Sequence, residues 1–169
     1  MGKWLVRETP EGPRACLITE VEAYDGPEDR ASHASRGETD RNAPMFGEAG
    51  RWYVYLCYGM HWMVNVVTGP VGYPAAVLLR GAGDLVGPGR LTKGLGISGE
   101  QNGQRAGRAG GLWIEDRGTE IRRAWIRRAP RVGVDYAGAW ARRPYRFILA
   151  PPKDFFDNQG VSEYNDKRR

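Results

Sequence analysis

Two alternating apolar runs, Trp52–Cys57 and Met60–Val67, meet at Tyr58-Gly59, and this stretch constrains the fold more than any other part of the chain. Successive side chains of a strand point to opposite faces, so each run reads as a half-buried strand, and together they read as a β-hairpin with Tyr58 at its tip. A ring of that size is easily buried in the middle of a strand. At a turn in a basic chain it asks for a reason, and insertion between stacked bases is one.

The basic character has a particular form. The chain of 169 residues carries a formal net charge of +5, and of its 25 basic residues only Lys3, Lys93, Lys153 and Lys167 are lysines. Residues 1–87 are net −3, whereas 88–169 are net +8. An arginine-rich half suits a polyanionic partner, because guanidinium forks match phosphate geometry; a well-solvated arginine surface is the competing explanation. Cys16 and Cys57 lie in apolar runs and are too few for a zinc quartet or a disulfide framework, so both are expected as buried free thiols in a reducing compartment. No stretch has the length of a membrane span or the pattern of a signal peptide. The expectation is a soluble cytoplasmic protein with no membrane contact.

Ala15–Tyr24 alternates as a half-buried strand, stopped by Asp25-Gly26-Pro27. Ala75–Arg80 is a further strand, and Leu112–Ile114, Val132–Val134 and Tyr145–Leu149 are strand-like. Arg90–Leu95 reads as a short helix and Ala137–Arg143 as a helical turn, while Glu120–Arg128 suits either helix or strand. Residues 99–111 read as a flexible loop, and 152–169 as a frayed tail. With no internal repeat and no break between domains, residues 1–169 form a single α+β domain.

Several residues suit chemistry. Glu20, Glu22 and Tyr24 share one strand face, and a glutamate desolvated among aromatics has the raised pKa of a general base; pairing with arginines is the alternative. Tyr24, His33 and Tyr55 would wall a flat slot for an extruded base, or else form a core cluster capped by phenol hydrogen bonds. Asn65 and Arg80, polar groups in apolar strands, need partners. With only His33 and His61 as histidines, no metal site is expected. Gly87-Pro88-Gly89 leads into Thr92 and Lys93, which could meet a phosphate.

These same residues resemble the alkyladenine (3-methyladenine) DNA glycosylases of the single-domain, mixed α/β type. The resemblance rests on the segment from Glu20-Val-Glu-Ala-Tyr24 to His33, on Arg41-Asn42 and Met45-Phe46, and on Tyr53-Val-Tyr-Leu-Cys-Tyr-Gly-Met60 with Asn65. It continues through Val77–Arg80, Gly87–Thr92, Leu112–Ile114, Arg131–Val134 and Pro144–Phe147, covering about residues 13 to 150 in order. It implies a curved, mainly antiparallel sheet with a protruding hairpin and short surrounding helices. It implies Glu22 as the general base acting on water, with Arg80 near that water and the target phosphate. Tyr24, His33 and Tyr55 would enclose the flipped base, Asn65 would disfavour normal guanine, and Tyr58 would be the wedge. Arg41, Thr92, Lys93 and Arg142 are candidates for backbone contact.

The implied activity is that of a monofunctional DNA glycosylase without cofactor, working as a monomer on double-stranded DNA with alkylated or deaminated purines, in the cytoplasm of a bacterial-type cell with the nucleoid. No lysine lies near the proposed pocket sequence, and a Schiff base would need one. Cationic 3-methyladenine and 7-methylguanine are good leaving groups; hypoxanthine and ethenoadenine are neutral and need acid assistance or tighter recognition. Two other classes compete, a non-catalytic nucleic-acid binder and a small-molecule α+β enzyme. A carboxylate at Glu22 argues against the binder, since it would repel phosphates.

Overall fold

A computed structural model describes residues 1–152 and 154–157 of the protein. One long strand organises it. β2 (Arg14–Asp25) pairs at its start with β1 (Trp4–Arg7), and its second half runs beside β5 (Ala75–Ala82). At Glu20–Glu22 it also pairs with β9 (Arg146–Leu149). Beyond β5 lie β4 (His61–Val67) and β3 (Trp52–Cys57), and beyond β1 lies β7 (Leu112–Glu115). The short β6 (Leu85–Val86) pairs with β5, and β8 (Ile126–Ala129) with β9. The described strands make one antiparallel sheet curled into a half-barrel, giving an α+β fold.

The alternation of β1 and β2 explains why both faces are covered. Leu5, Cys16 and Ile18 enter one cluster with Trp52, Val64 and Leu79. Their neighbours Trp4, Val6 and Leu17 enter another with Trp113, Leu149 and Phe156. A period of two therefore sends adjacent residues into separate cores. The helix α1 (Pro88–Gly94) starts with proline, where a missing N–H costs nothing, and buries Leu91 in the first cluster.

Four segments differ from the sequence reading in form. Val132–Val134 is not a strand: the Val132 N–H is taken by the Glu22 carboxylate, leaving it unavailable for a ladder. Glu120–Arg128 divides into a 3-10 turn at Arg123–Trp125 and the strand β8. Within 99–111, a 3-10 turn at Gly99–Gln101 has a reciprocal Ser98/Gln101 capping box, and the backbone of residues 103 and 104 hydrogen-bonds with Trp52 on the open edge of β3. In the expected frayed tail, Asp154–Asp157 forms a single helical turn, α2, with Phe156 buried; residues 158–169 lie outside the described residues. Among the described residues no helix is long and apolar enough to cross a membrane.

Candidate active site

The β2–β5 pairing slips twice where the site begins. Ile18 faces Ala82, Glu20 faces Gly81 and Val21 faces Leu79, so Thr19 and Arg80 fall outside the regular register. Bulges of this kind bend a strand and redirect its side chains. Arg80 is directed onto β2, where its Nε lies 3.1 Å from Glu20 Oε1 and 3.4 Å from Glu22 Oε1. Glu20 is also 3.5 Å from Arg146, so it stands in a buried ion network outside the cavity lining.

Glu22 has no exposed surface and lies at the floor of a cavity of about 520 Å³. Its Oε1 accepts the Val132 N–H at 2.8 Å, and its Oε2 accepts the Tyr24 hydroxyl at 2.9 Å. Burial nevertheless dominates, raising the Glu22 pKa above the ordinary carboxylate range against the opposing effects of Arg80, Val132 and Tyr24. The result is a carboxylate oriented by donors yet poorly solvated. Oε1 also faces Arg80, whereas Oε2 has a second lone-pair direction with which to accept a proton.

Aromatic groups wall the cavity above it. The His33 ring meets Tyr55 edge-on at 4.6 Å, and Tyr53 and Tyr55 lie 5.2 Å apart at a tilt of 35°. His33 Nδ1 is 2.9 Å from the Tyr53 hydroxyl, and burial followed by the charge of Arg41 lowers the His33 pKa, favouring neutral imidazole. Burial pushes the Tyr53 phenol up to about 12 and raises those of Tyr24 and Tyr55, so all three rings remain uncharged near neutral pH. Asn65 is buried and donates its side-chain N–H to the Tyr53 carbonyl at 3.0 Å. This bond locks the amide across the base of the hairpin.

Tyr58 stands at the cavity mouth with 88% of its surface exposed. It is the one non-glycine residue with positive φ (51°) among the described residues; Gly59 follows at 67°, and the Met60 N–H closes the turn on the Cys57 carbonyl at 3.1 Å. The left-handed region costs an L-residue about 1–2 kcal/mol, and a ring so exposed recovers little of that by packing. The turn presents a bulky side chain outward at a cost to stability.

Glu22, Tyr24, His33, Arg41, Tyr55, Tyr58, Asn65 and Arg80 all line this cavity, although they come from separate parts of the chain. Arg41 donates to the Leu56 carbonyl and lies 5.5 Å over the Tyr55 ring, which makes it part of the wall. Thr92 corrects the sequence reading: it is buried, and its hydroxyl donates to main-chain carbonyls that include that of Trp62 at 2.9 Å, leaving no hydroxyl for a phosphate. Lys93 and Arg142 are exposed and stand outside the cavity lining. Cys57 is likewise only half-buried, and it lines the cavity at the hairpin end; Cys16 is buried.

The sequence reading missed the pair that braces the site. Arg131 and Asp29 have no exposed side-chain surface and join through two hydrogen bonds, one of them 2.7 Å long. Arg131 also donates to the Ala23 carbonyl and packs 4.7 Å over Tyr24 and 5.2 Å from Tyr145. The next residue supplies the N–H that holds Glu22. A buried Arg–Asp pair far apart in sequence leaves no local pattern to detect. Tyr136, also missed, lines the mouth and donates its hydroxyl to the Ala31 carbonyl at 3.2 Å.

The chain matches the family model described as methylpurine-DNA glycosylase over residues 1–86 and 84–153. It belongs to the methylpurine-DNA glycosylase family. Members are hydrolases of N-glycosyl bonds in DNA, which makes DNA the substrate of this chain. A relative from Anaeromyxobacter dehalogenans is 47% identical over 156 residues, covering 88% of this chain and 73% of its own. One from Methanocella arvoryzae is 44% identical over 168 residues (87% and 82%), and one from Myxococcus xanthus is 43% identical over 172 residues (96% and 84%). All three carry the provisional name 3-methyladenine DNA glycosylase.

Proposed function

We propose that this methylpurine-DNA glycosylase is monofunctional, extruding alkylated purines, chiefly 3-methyladenine and 7-methylguanine, and hydrolysing their N-glycosidic bonds by base-activated water. The single observation that carries this reading is Glu22, a buried carboxylate with a raised pKa and fixed orientation, at the floor of an aromatic cavity. The names of the relatives supply 3-methyladenine. The aromatic walls suit a cationic base, since electron-rich rings attract cations.

In the proposed reaction Tyr58 fills the space left in the duplex, while Tyr24, His33 and Tyr55 enclose the base. Water forms a bond to C1′ as the C1′–N bond breaks, and the electron pair of that bond neutralises the departing cationic base. Glu22 takes the proton from water, and Arg80 balances the negative charge beside it. Asn65, locked against Tyr53, would crowd the exocyclic amine of normal guanine. Among the described residues no lysine lines the cavity, which supports simple hydrolysis to an abasic site without strand cleavage. Neutral lesions such as hypoxanthine and ethenoadenine would require acid assistance or tighter recognition in the same pocket.

The test is release of free base from methylated duplex DNA, followed by alkali to reveal abasic sites. The wild type should release base, whereas Glu22→Gln should not, while still binding damaged duplex. Equal base release by the two proteins would remove Glu22 from the chemistry.

A further inference from the structure

A second cavity, of about 540 Å³, adjoins the first and shares His33, Arg41, Tyr53 and Tyr136 with it. Its lining adds Arg30 and Arg36 and, among the described residues, contains no aspartate or glutamate. Among the described residues, the guanidinium groups of Arg30 and Arg36 form no hydrogen bond or ion pair. Arg51 and Arg105, by comparison, share Glu48, while Arg108 and Arg117 share Glu115. What distinguishes Arg30 and Arg36 is that both line one cavity, where guanidinium groups without a carboxylate leave an uncompensated positive potential.

The wall is also held in shape. Asn42 is buried, donates to the carbonyls of His33 (3.1 Å) and Gly37 (2.9 Å), and accepts the Thr39 N–H at 2.7 Å. Ser35 donates to the Ser32 carbonyl at 2.8 Å, and the Tyr136–Ala31 bond fixes the rim shared with the first cavity. Guanidinium forks match phosphate oxygens, and the volume lies within the roughly 300–1,000 Å³ range of small-ligand pockets. The common rim lies where a strand whose base occupies the first cavity can continue.

We propose that the second cavity holds the phosphodiester of a nucleotide directly adjoining the extruded one in the same strand, with Arg30 and Arg36 as its cationic ligands. This rests on the reading of the first cavity as the base pocket. It assigns the two arginines to capture and alignment of the strand. They take no part in bond cleavage.

The test uses the full chain carrying Arg30→Ala, Arg36→Ala or both, with binding to lesion-containing duplex measured over a range of salt. Each substitution should weaken binding, and the double variant should reduce the magnitude of the slope of log K against log salt by about 0.9, the value for one phosphate. The double variant, once saturated with duplex, should release base within about twofold of the wild-type rate, since the loss is in binding and not in the transition state. Arg36→Lys, which keeps charge without the fork, should restore the slope. A single methylphosphonate is then moved along the lesion strand. At one linkage next to the lesion it should weaken wild-type binding but cost the double variant nothing more. Unchanged salt slopes, or additive losses at every linkage, would overturn the proposal. So would wild-type binding of a free purine nucleoside monophosphate or inorganic phosphate that the double variant loses while duplex binding stays intact, because that makes the cavity a free-anion site. Failure of the base-pocket reading is separable: the wild type would then release no base at all.

Discussion

Replacing Tyr24 by phenylalanine isolates one hydrogen bond of the proposed machinery. The ring would remain over Arg131, but the hydroxyl that donates to Glu22 Oε2 at 2.9 Å would be gone. Hydrogen bonds to charged groups contribute about 1.5–3 kcal/mol; the neutral acid retains a weaker version, so the lower figure applies here. Burial already raises the Glu22 pKa, and Tyr24 opposes that rise. Its loss pushes the pKa further up, reducing the ionised fraction on the acidic side. At about 1.4 kcal/mol per factor of ten, single-turnover base release should slow about tenfold along the acidic limb. The alkaline plateau should stay close to that of the wild type. The assay is base release from a 7-methylguanine duplex with enzyme in excess, across the pH range of activity. A uniform loss at every pH, with the limb in place, would show that the hydroxyl positions the ring and does not tune the carboxylate.

Three further substitutions probe the surroundings. Asp29→Asn leaves Arg131 with an incomplete partner in a fully buried position; unpairing such a charge costs about 3–5 kcal/mol, so Tm should fall by roughly 10 °C in thermal melts. Tyr58→Gly should maintain or raise Tm by relieving about 1–2 kcal/mol of left-handed strain, while affinity for damaged duplex in a titration drops about tenfold or more. For Glu22→Gln, the sign follows from the raised pKa: the folded state holds the proton more tightly than the unfolded state, so wild-type stability falls as pH rises through the folded pKa. The Tm advantage of the glutamine protein should therefore grow as pH rises above the ordinary carboxylate range, and a constant difference would contradict the reading.

What could be read from the sequence was what depends on local period. The strands expected at Ala15–Tyr24 and Trp52–Cys57 are β2 and β3, but β2, expected to be half-buried, is covered on both faces because its adjacent residues enter separate clusters. Ile126 lies in a strand because β9 is available beside it, and the apolar pattern of 120–128 contained nothing about β9. Val132 shows the opposite case, a β-branched residue whose N–H was claimed by a carboxylate 110 positions away. Thr92 looked like a phosphate ligand by its place after Gly87-Pro88-Gly89, but helix packing turned its hydroxyl onto the carbonyl of Trp62. The cavity residues were legible through the family resemblance. The bulge directing Arg80 and the Asp29–Arg131 brace exist only in three dimensions.

β2 has a consequence for how the molecule comes apart. The same strand contributes Leu17 to one hydrophobic cluster and Cys16 and Ile18 to the other, then continues without interruption into Glu22 and Tyr24. Neither cluster can melt without releasing the strand that the other needs, and the cavity floor must leave with it. Heat should therefore abolish secondary structure and lesion recognition in one cooperative transition, with no partly unfolded species that still captures damaged DNA.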